Sequence, residues 1–282
     1  MKRADYGLAM LSILLFSGSA FAQSPSYPDD DLIAKIKAKG EMVITVGNSP
    51  VWTSVDASGK PTGIVPDILR AFLKKRNIEA TLKPVAMPFD SIIPALISGK
   101  ADVAANTMYV TPERQKQILF SSIMLYNSEG LFVAKGNPLK LGSLADICGH
   151  SGGTYKGTSY VRLLETASKA CPNGTSIDIK QYTSLDLVLG DVASGRLDGG
   201  LVDQSAGQYA LAKNPKLSFE LAVNYVTPNR AANGAALPIG PKYKDFVTTF
   251  NATYAELLAD GTVKGILAKY GLEPSDAYLR PE

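Results

Sequence analysis

Short apolar runs alternate with helical stretches along this chain, and the pattern restarts midway, which confines it to an α/β fold assembled from βαβ units. The first round reads as a strand over Met42 to Val46 and a helix over Pro66 to Arg76, with Ile68, Leu69, Phe72 and Leu73 on one stripe. A strand near Ala80 to Val85 follows, then a helix from Asp90 to Ser98 stopped by Gly99, then a strand from Ala101 to Asn106. After a crossing near Tyr126 the second round runs through strands at Gly152 to Tyr155, Ile177 to Gln181 and Leu197 to Val202. Helices over Ser159 to Ala170, Ser184 to Ser194 and Gln204 to Lys213 lie after each of these strands in turn. The chain returns near Ala232 to Ala236. Phe246, Phe250, Tyr254, Leu257 and Leu258, then Ile266, Leu267 and Tyr270, predict two closing helices that pack on a core. With no low-complexity linker, two lobes joined by two crossings fit better than two independent beads.

Before that, the first residues MKRADYGLAMLSILLFSGSAFAQ pair Lys2 and Arg3 with an apolar run from Leu8 to Phe16 and the pattern Ala20-Phe21-Ala22. This is a secretory signal peptide, residues 1–22, with cleavage expected after Ala22. No later segment reaches the roughly 18 continuous apolar residues a membrane helix needs. No cysteine stands just after the cleavage site, so a lipid anchor is not expected, and a bacterial periplasm is the simplest compartment.

Removing the leader takes away two cations and one anion, so the formal charge falls from +3 to +2. Cations are interspersed with acids, and no basic run carries stacking aromatics, which excludes a nucleic-acid partner. Two cysteines remain, Cys148 and Cys171, and an oxidising compartment makes a disulfide between them the expectation.

Enzymatic motifs do not hold. Gly149-His150-Ser151-Gly152-Gly153 has the spacing of a nucleophile elbow, but it leads into a strand instead of joining strand to helix. His150, the single histidine, is the immediate neighbour of Ser151 and is badly placed to act as its base. One histidine and two bridged cysteines make no transition-metal cluster, and no phosphate-binding glycine loop is present, so no cofactor is expected.

The passage ADVAANTMYVTPERQKQILF, Ala101 to Phe120, runs from a strand through a polar turn into a helix that Thr111 can cap and Pro112 can start. Arg114 then emerges beside the strand's carboxyl end. A guanidinium there can hold a carboxylate through two parallel hydrogen bonds, although a surface arginine would fit the same pattern.

Several words, taken in order, carry a resemblance over nearly the whole mature chain. They are Lys39-Gly40-Glu41-Met42-Val43-Ile44, Gly59-Lys60-Pro61-Thr62-Gly63, Ile93 to Val103, Thr111-Pro112-Glu113-Arg114, Gly195-Arg196-Leu197-Asp198 and Leu258-Ala259-Asp260-Gly261-Thr262. The chain resembles the family 3 periplasmic amino-acid-binding proteins of ABC importers. The resemblance implies the type II periplasmic-binding-protein fold, each lobe a mixed, mostly parallel sheet flanked by helices. Lobe 1 would comprise residues 23–127 and 234–282, and lobe 2 residues 128–233.

It further implies that Arg114 binds the ligand carboxylate, with Thr158 and Ser159 of the Gly157-Thr158-Ser159 turn meeting it from the second lobe. Asp203 would receive the α-ammonium, though on residues alone it is also a cap for the following helix. Phe89 and Trp52 are candidate pocket walls, and Trp52 is equally a core residue. Thr107 occupies a position that often contacts ligand through backbone. Tyr109 stands where relatives place a small Ser or Thr, and Asn48-Ser49-Pro50-Val51-Trp52 is one residue shorter than the usual aromatic stretch, so side-chain preference stays open. The partners implied are an amino acid or similar zwitterion and an inner-membrane permease with its ATPase, with the binding protein a monomer. The alternative is a cyclohexadienyl or arogenate dehydratase, which resembles the same fold and would need Glu129 or Glu165 as general acid.

Overall fold

In the computed structural model, residues 30–47, 49–228, 234–273 and 276–279 are described; the leader and the second crossing at residues 229–233 lie outside them. Asp31 opens α1 (Leu32–Lys39) by accepting the Ala34 N–H at 2.9 Å, and Gly40, at φ 64°, closes it. Then come β1 (Glu41–Val46), the short hairpin β2 (Ser54–Val55) and β3 (Pro61–Thr62), and α2 (Ile64–Lys75). The helix begins two residues earlier than its stripe suggests, because Gly63 turns the chain against the Trp52 carbonyl at φ 118°. A β-carbon there would lie 2.5 Å from that oxygen, so only glycine fits.

The first lobe continues through β4 (Thr81–Ala86), α3 (Ile92–Ile97), β5 (Val103–Ala104), β6 (Met108–Tyr109), α4 (Pro112–Gln115), β7 (Leu119–Phe120) and β8 (Leu125–Tyr126). The predicted strand Ala101 to Asn106 is paired only at Val103 and Ala104, and the chain then leaves that sheet to form β6. Likewise, the helix at Thr111 is a single turn, since Leu119 and Phe120 pair with a returning strand instead of continuing it. Tertiary pairing overrides local propensity there.

The second lobe contains β9 (Glu129–Ala134), β10 (Ser151–Tyr155), α5 (Ser159–Lys169), β11 (Asp178–Tyr182), α6 (Leu185–Ala193), β12 (Gly199–Asp203), α7 (Gln204–Lys213) and β13 (Phe219–Leu221). The chain then returns as β14 (Gly234–Ala236) and β15 (Pro238–Ile239), and ends in α8 (Lys244–Ala259), α9 (Thr262–Lys269) and α10 (Asp276–Leu279).

Two five-stranded sheets result, ordered β4-β1-β5-β15-β7 and β11-β10-β12-β9-β13. In each, the first three strands of the βαβ series are parallel and a strand arriving from the crossing side is antiparallel. Between them β14 pairs with both β6 and β8, so the two outward and return passages share one small sheet.

The lobes repeat one local device. Ser98-Gly99-Lys100-Ala101-Asp102 and Ser194-Gly195-Arg196-Leu197-Asp198 each leave a helix through a glycine at φ 71°. Each aspartate then accepts a first-strand N–H, Val43 to Asp102 at 3.0 Å and Ser151 to Asp198 at 2.8 Å. Asp102 is buried, and Lys35 and Tyr243 complete its hydrogen bonding at 2.5 and 3.1 Å. Apolar packing does the rest: Phe72 of α2 meets Phe246 and Phe250 of α8 at ring-centre distances of 5.3 and 5.5 Å.

In the second lobe Cys148 and Cys171 form the disulfide, closing a 23-residue separation across α5. The serine of the elbow-like motif is structural. Ser151 donates its hydroxyl to Asp198 at 2.8 Å at the start of β10, and His150 lies 3.8 Å from the same carboxylate.

Candidate functional site

Between the two sheets lies a cleft whose lining includes every candidate residue: Trp52, Phe89, Thr107, Tyr109, Arg114, Thr158, Ser159 and Asp203. The first five come from the β1–β5 side and the last three from the β10–β12 side. No one segment could supply this set. The carboxyl ends of parallel strands converge there, which is where open α/β sheets hold ligands.

Arg114 reaches the cleft because α4 is so short. Thr111 accepts the Arg114 N–H at 3.3 Å, Pro112 fills the first helical position, and the side chain swings back toward β6. The guanidinium donates to the Tyr109 carbonyl at 2.7 Å and, across the cleft, to the Gly157 carbonyl at 2.9 Å. Its centre also lies 5.9 Å from the Phe89 ring. Burial pulls its pKa below the ordinary value, yet a guanidinium stays charged at any physiological pH. Of its five donors, two go to these carbonyls, which leaves a fork for an oxyanion.

Facing it is the start of α5. Thr158 occupies the cap position without capping: its hydroxyl donates to the Tyr155 carbonyl at 2.9 Å. The first N–H groups of this 11-residue helix therefore have no side-chain acceptor among the described residues, and Ser159, half-buried, sits on that first turn beside the cleft.

Asp203 ends β12 and caps α7, accepting the Ala206 N–H at 2.8 Å through Oδ1. Its Oδ2 accepts from the Asn127 amide. The two readings of this residue are compatible, since it caps α7 through Oδ1 and also lines the cleft. Only 6% exposed, its carboxyl is pushed up to about 6 by desolvation. The Ala206 N–H, the Trp52 indole and the Asn127 amide pull in the opposite direction. The Trp52 Nε1 is buried without a hydrogen bond of normal geometry, so it acts on Asp203 as a nearby dipole. Trp52 is both wall and core: 3% exposed, it packs on the first-lobe interior and touches the cleft.

Tyr109 crosses between lobes. Its hydroxyl donates to the Asn127 carbonyl at 3.2 Å and lies 3.2 Å from the Tyr160 hydroxyl, and its ring packs with the second-lobe core. Tyr155 meets Phe89 edge-on at 5.8 Å. Sequence reasoning missed Tyr155, Tyr160, Ser49, Asn106 and Asn127, all of which line the cleft. For the two tyrosines a signal existed: they flank the Gly157-Thr158-Ser159 turn at a strand end and a helix start.

The two acids that the dehydratase alternative would call on lie away from this arrangement. Glu129 is buried and accepts from Tyr225 at 3.0 Å and Thr227 at 2.6 Å, and Glu165 is exposed on α5. Neither lines the cleft, where Asp203 is the one carboxylate among the described residues.

A cleft between two α/β lobes, with a cation from one and an anion from the other, defines a two-lobed solute-binding protein. The chain belongs to the bacterial extracellular solute-binding proteins, family 3, whose profile matches residues 42–273. It is similar to the L-cystine-binding protein TcyJ of Escherichia coli K12, 28% identical over 272 residues that span 96% of this chain and 97% of that one. The lysine/arginine/ornithine-binding periplasmic protein of Escherichia coli K12 is 26% identical over 275 residues, 96% of this chain and 97% of its own. Among solved structures, an ancestral arginine-binding protein bound to glutamine matches with a TM-score of 0.72 at 26% identity, over 83% of this chain and 99% of that one. The solute receptor for L-cysteine of Neisseria gonorrhoeae shares the fold at a TM-score of 0.74 and 21% identity, over 88% and 99%. The architecture is the type II periplasmic-binding-protein fold, and the chain is a solute-binding protein, not an enzyme.

Proposed function

We propose that the protein captures an amino acid, or a small zwitterion like it, in the periplasm and delivers it to an inner-membrane ABC permease driven by its ATPase. Export would proceed through cleavage after Ala22, and the mature chain would act as a monomer with lobes at residues 23–127 plus 234–282 and 128–233. The observation that carries this reading is the pairing of Arg114 and Asp203 on opposite walls of one cleft. An amino acid carries two fixed charges of opposite sign, and burying either unpaired is very costly. Here Arg114 and the open first turn of α5 would take the carboxylate, and Asp203 the ammonium, with Phe89, Trp52 and Tyr109 around the rest.

Because the groups belong to different lobes, an open protein satisfies only half of the ligand. Binding therefore favours closure by the difference in contacts between the two states. Calorimetric titration of the mature chain, stripped of copurified solute by unfolding and refolding, tests the reading: saturable, one-to-one binding of an amino acid is expected, and no heat with any amino acid contradicts it.

A further inference from the structure

We infer that the captured solute carries an uncharged side chain ending in a hydrogen-bonding group that meets Ser49. This rests on the reading that the cleft holds an amino acid, and it goes on to say which kind.

The cleft has one guanidinium and one carboxylate among its described lining residues, and a zwitterion's two backbone charges use both. A charged side chain would then be buried without a counter-charge, a loss of several kcal/mol in partly dry surroundings. The tyrosines supply none, because burial pushes the hydroxyls of Tyr109, Tyr155 and Tyr160 above their ordinary pKa. Nearby carboxylates do not help either. Glu129 is turned to Tyr225 and Thr227, and Asp90, beside Phe89, is exposed and does not line the cleft. Position 48 and residues 229–233 contain no acidic side chain in the sequence, so they bring no counter-charge for a cationic ligand side chain; Arg230 is their single charged residue. The relative named for lysine, arginine and ornithine is thus a poor guide to this chain's ligand.

The remaining lining is polar but neutral on one side, with Ser49 and Asn106 beside Gly47. Ser49 is held by a tight turn in which its N–H donates to the Thr53 carbonyl at 2.8 Å. Ser49 lines the cleft, and its hydroxyl is buried with no hydrogen-bond partner among the described residues. A buried hydroxyl left unpaired costs about 1–3 kcal/mol, and a ligand group that bonds it recovers this. An amide, hydroxyl or comparable neutral end suits the position; an alkyl end leaves the hydroxyl unpaired.

Intrinsic fluorescence provides the assay, since the chain's single tryptophan is in the cleft wall. Stripped mature protein is titrated with glutamine, asparagine, serine, threonine and cysteine, and with a charged set of arginine, lysine, ornithine, aspartate, glutamate and cystine, whose far end carries its own ammonium and carboxylate. At least one neutral polar amino acid is expected to bind about 100-fold or more tightly than every charged one, the cost of an unpaired buried charge. A charged amino acid that binds as tightly as the best neutral one overturns the inference while leaving amino-acid capture intact. Binding of none overturns both. Two variants probe the contact, each first checked for an unchanged circular-dichroism spectrum. Ser49→Ala should lower affinity for the best ligand by about fivefold to tenfold, as for one neutral hydrogen bond, and narrow its advantage over leucine. Ser49→Asp should improve lysine or arginine binding by tenfold or more, because it adds the missing counter-charge. Folded variants that leave both ratios unmoved show that Ser49 does not meet the side chain and overturn that part of the inference.

Discussion

Arg114 and Gly157 are joined directly across the cleft by a 2.9 Å hydrogen bond from guanidinium to backbone carbonyl. The two lobes are therefore shut on one another in this structure, and the residue assigned to the ligand carboxylate is also a lobe-to-lobe contact. Truncating it should weaken binding twice, through the lost ion pair and through a less favoured closed state. Arg114→Ala is expected to cost about 2–5 kcal/mol of binding, and Arg114→Lys most of that, because an ammonium keeps the charge but not the fork. Calorimetry reads both.

Gly157 is constrained from two sides. Its φ of +81° disfavours any side chain, and a β-carbon would come within 2.8 Å of the Asp90 α-carbon on the opposite lobe. Gly157→Ala should fold, since the clash exists only when the lobes meet, but it should close poorly. We expect affinity to fall by tenfold or more and small-angle scattering with saturating ligand to give a larger radius of gyration than the parent. A parent-like radius and affinity would show that the lobes do not approach this closely.

The pH dependence follows from Asp203, whose carboxyl is pushed up to about 6 by desolvation. Ligand ammonium binds the ionised form, so protons compete with it. Affinity should be flat above pH 7 and fall about tenfold per pH unit below 6 until the bound-state pKa is reached. Asp203→Asn should be weak at every pH and lack this slope. Stability runs the opposite way for this group: the raised carboxyl holds its proton better folded than unfolded, so the Asp203 contribution is lost as pH rises from the unfolded value of 3.8 through about 6. The difference in urea midpoint between the parent and Asp203→Asn, compared at pH 4 and pH 7, gives the sign.

Reducing the Cys148–Cys171 bridge should destabilise the second lobe by about 3 kcal/mol on chain-entropy grounds. Thermal melts with and without a thiol reductant measure it. No effect on the melt would mean that the native fold around α5 already restrains both ends.

Tyr109→Ser should alter ligand preference more than folding. The ring fills space between lobes and its hydroxyl reaches Asn127 and Tyr160, so removal opens the cleft near Arg114. A thermal-shift panel that ranks ligands as the parent does would remove Tyr109 from the pocket wall.

Much of this was legible in the residues. The α/β alternation, the closing helices and the placing of Arg114 follow from periodicity and from the Thr111-Pro112 start. The second-lobe residues Thr158, Ser159 and Asp203 came only through resemblance, because a helix cap and a ligand contact look alike in a bare sequence; Asp203 proves to be both a cap and a cleft residue. What stayed hidden depends on tertiary approach. Ser49 and Asn106 lie over fifty residues apart, and no local pattern joins them. The α4 turn also stops after four residues for a reason no local pattern contains, the pairing of β7 with β15.

The central claim is that one zwitterion is gripped at both ends, by Arg114 from one lobe and by Asp203 from the other. Calorimetry with the best amino-acid ligand, its methyl ester and its desamino acid tests this most directly. Each analogue removes one charged end and should bind at least about 100-fold more weakly than the parent ligand; parent-like affinity for either analogue would contradict the two-ended clamp.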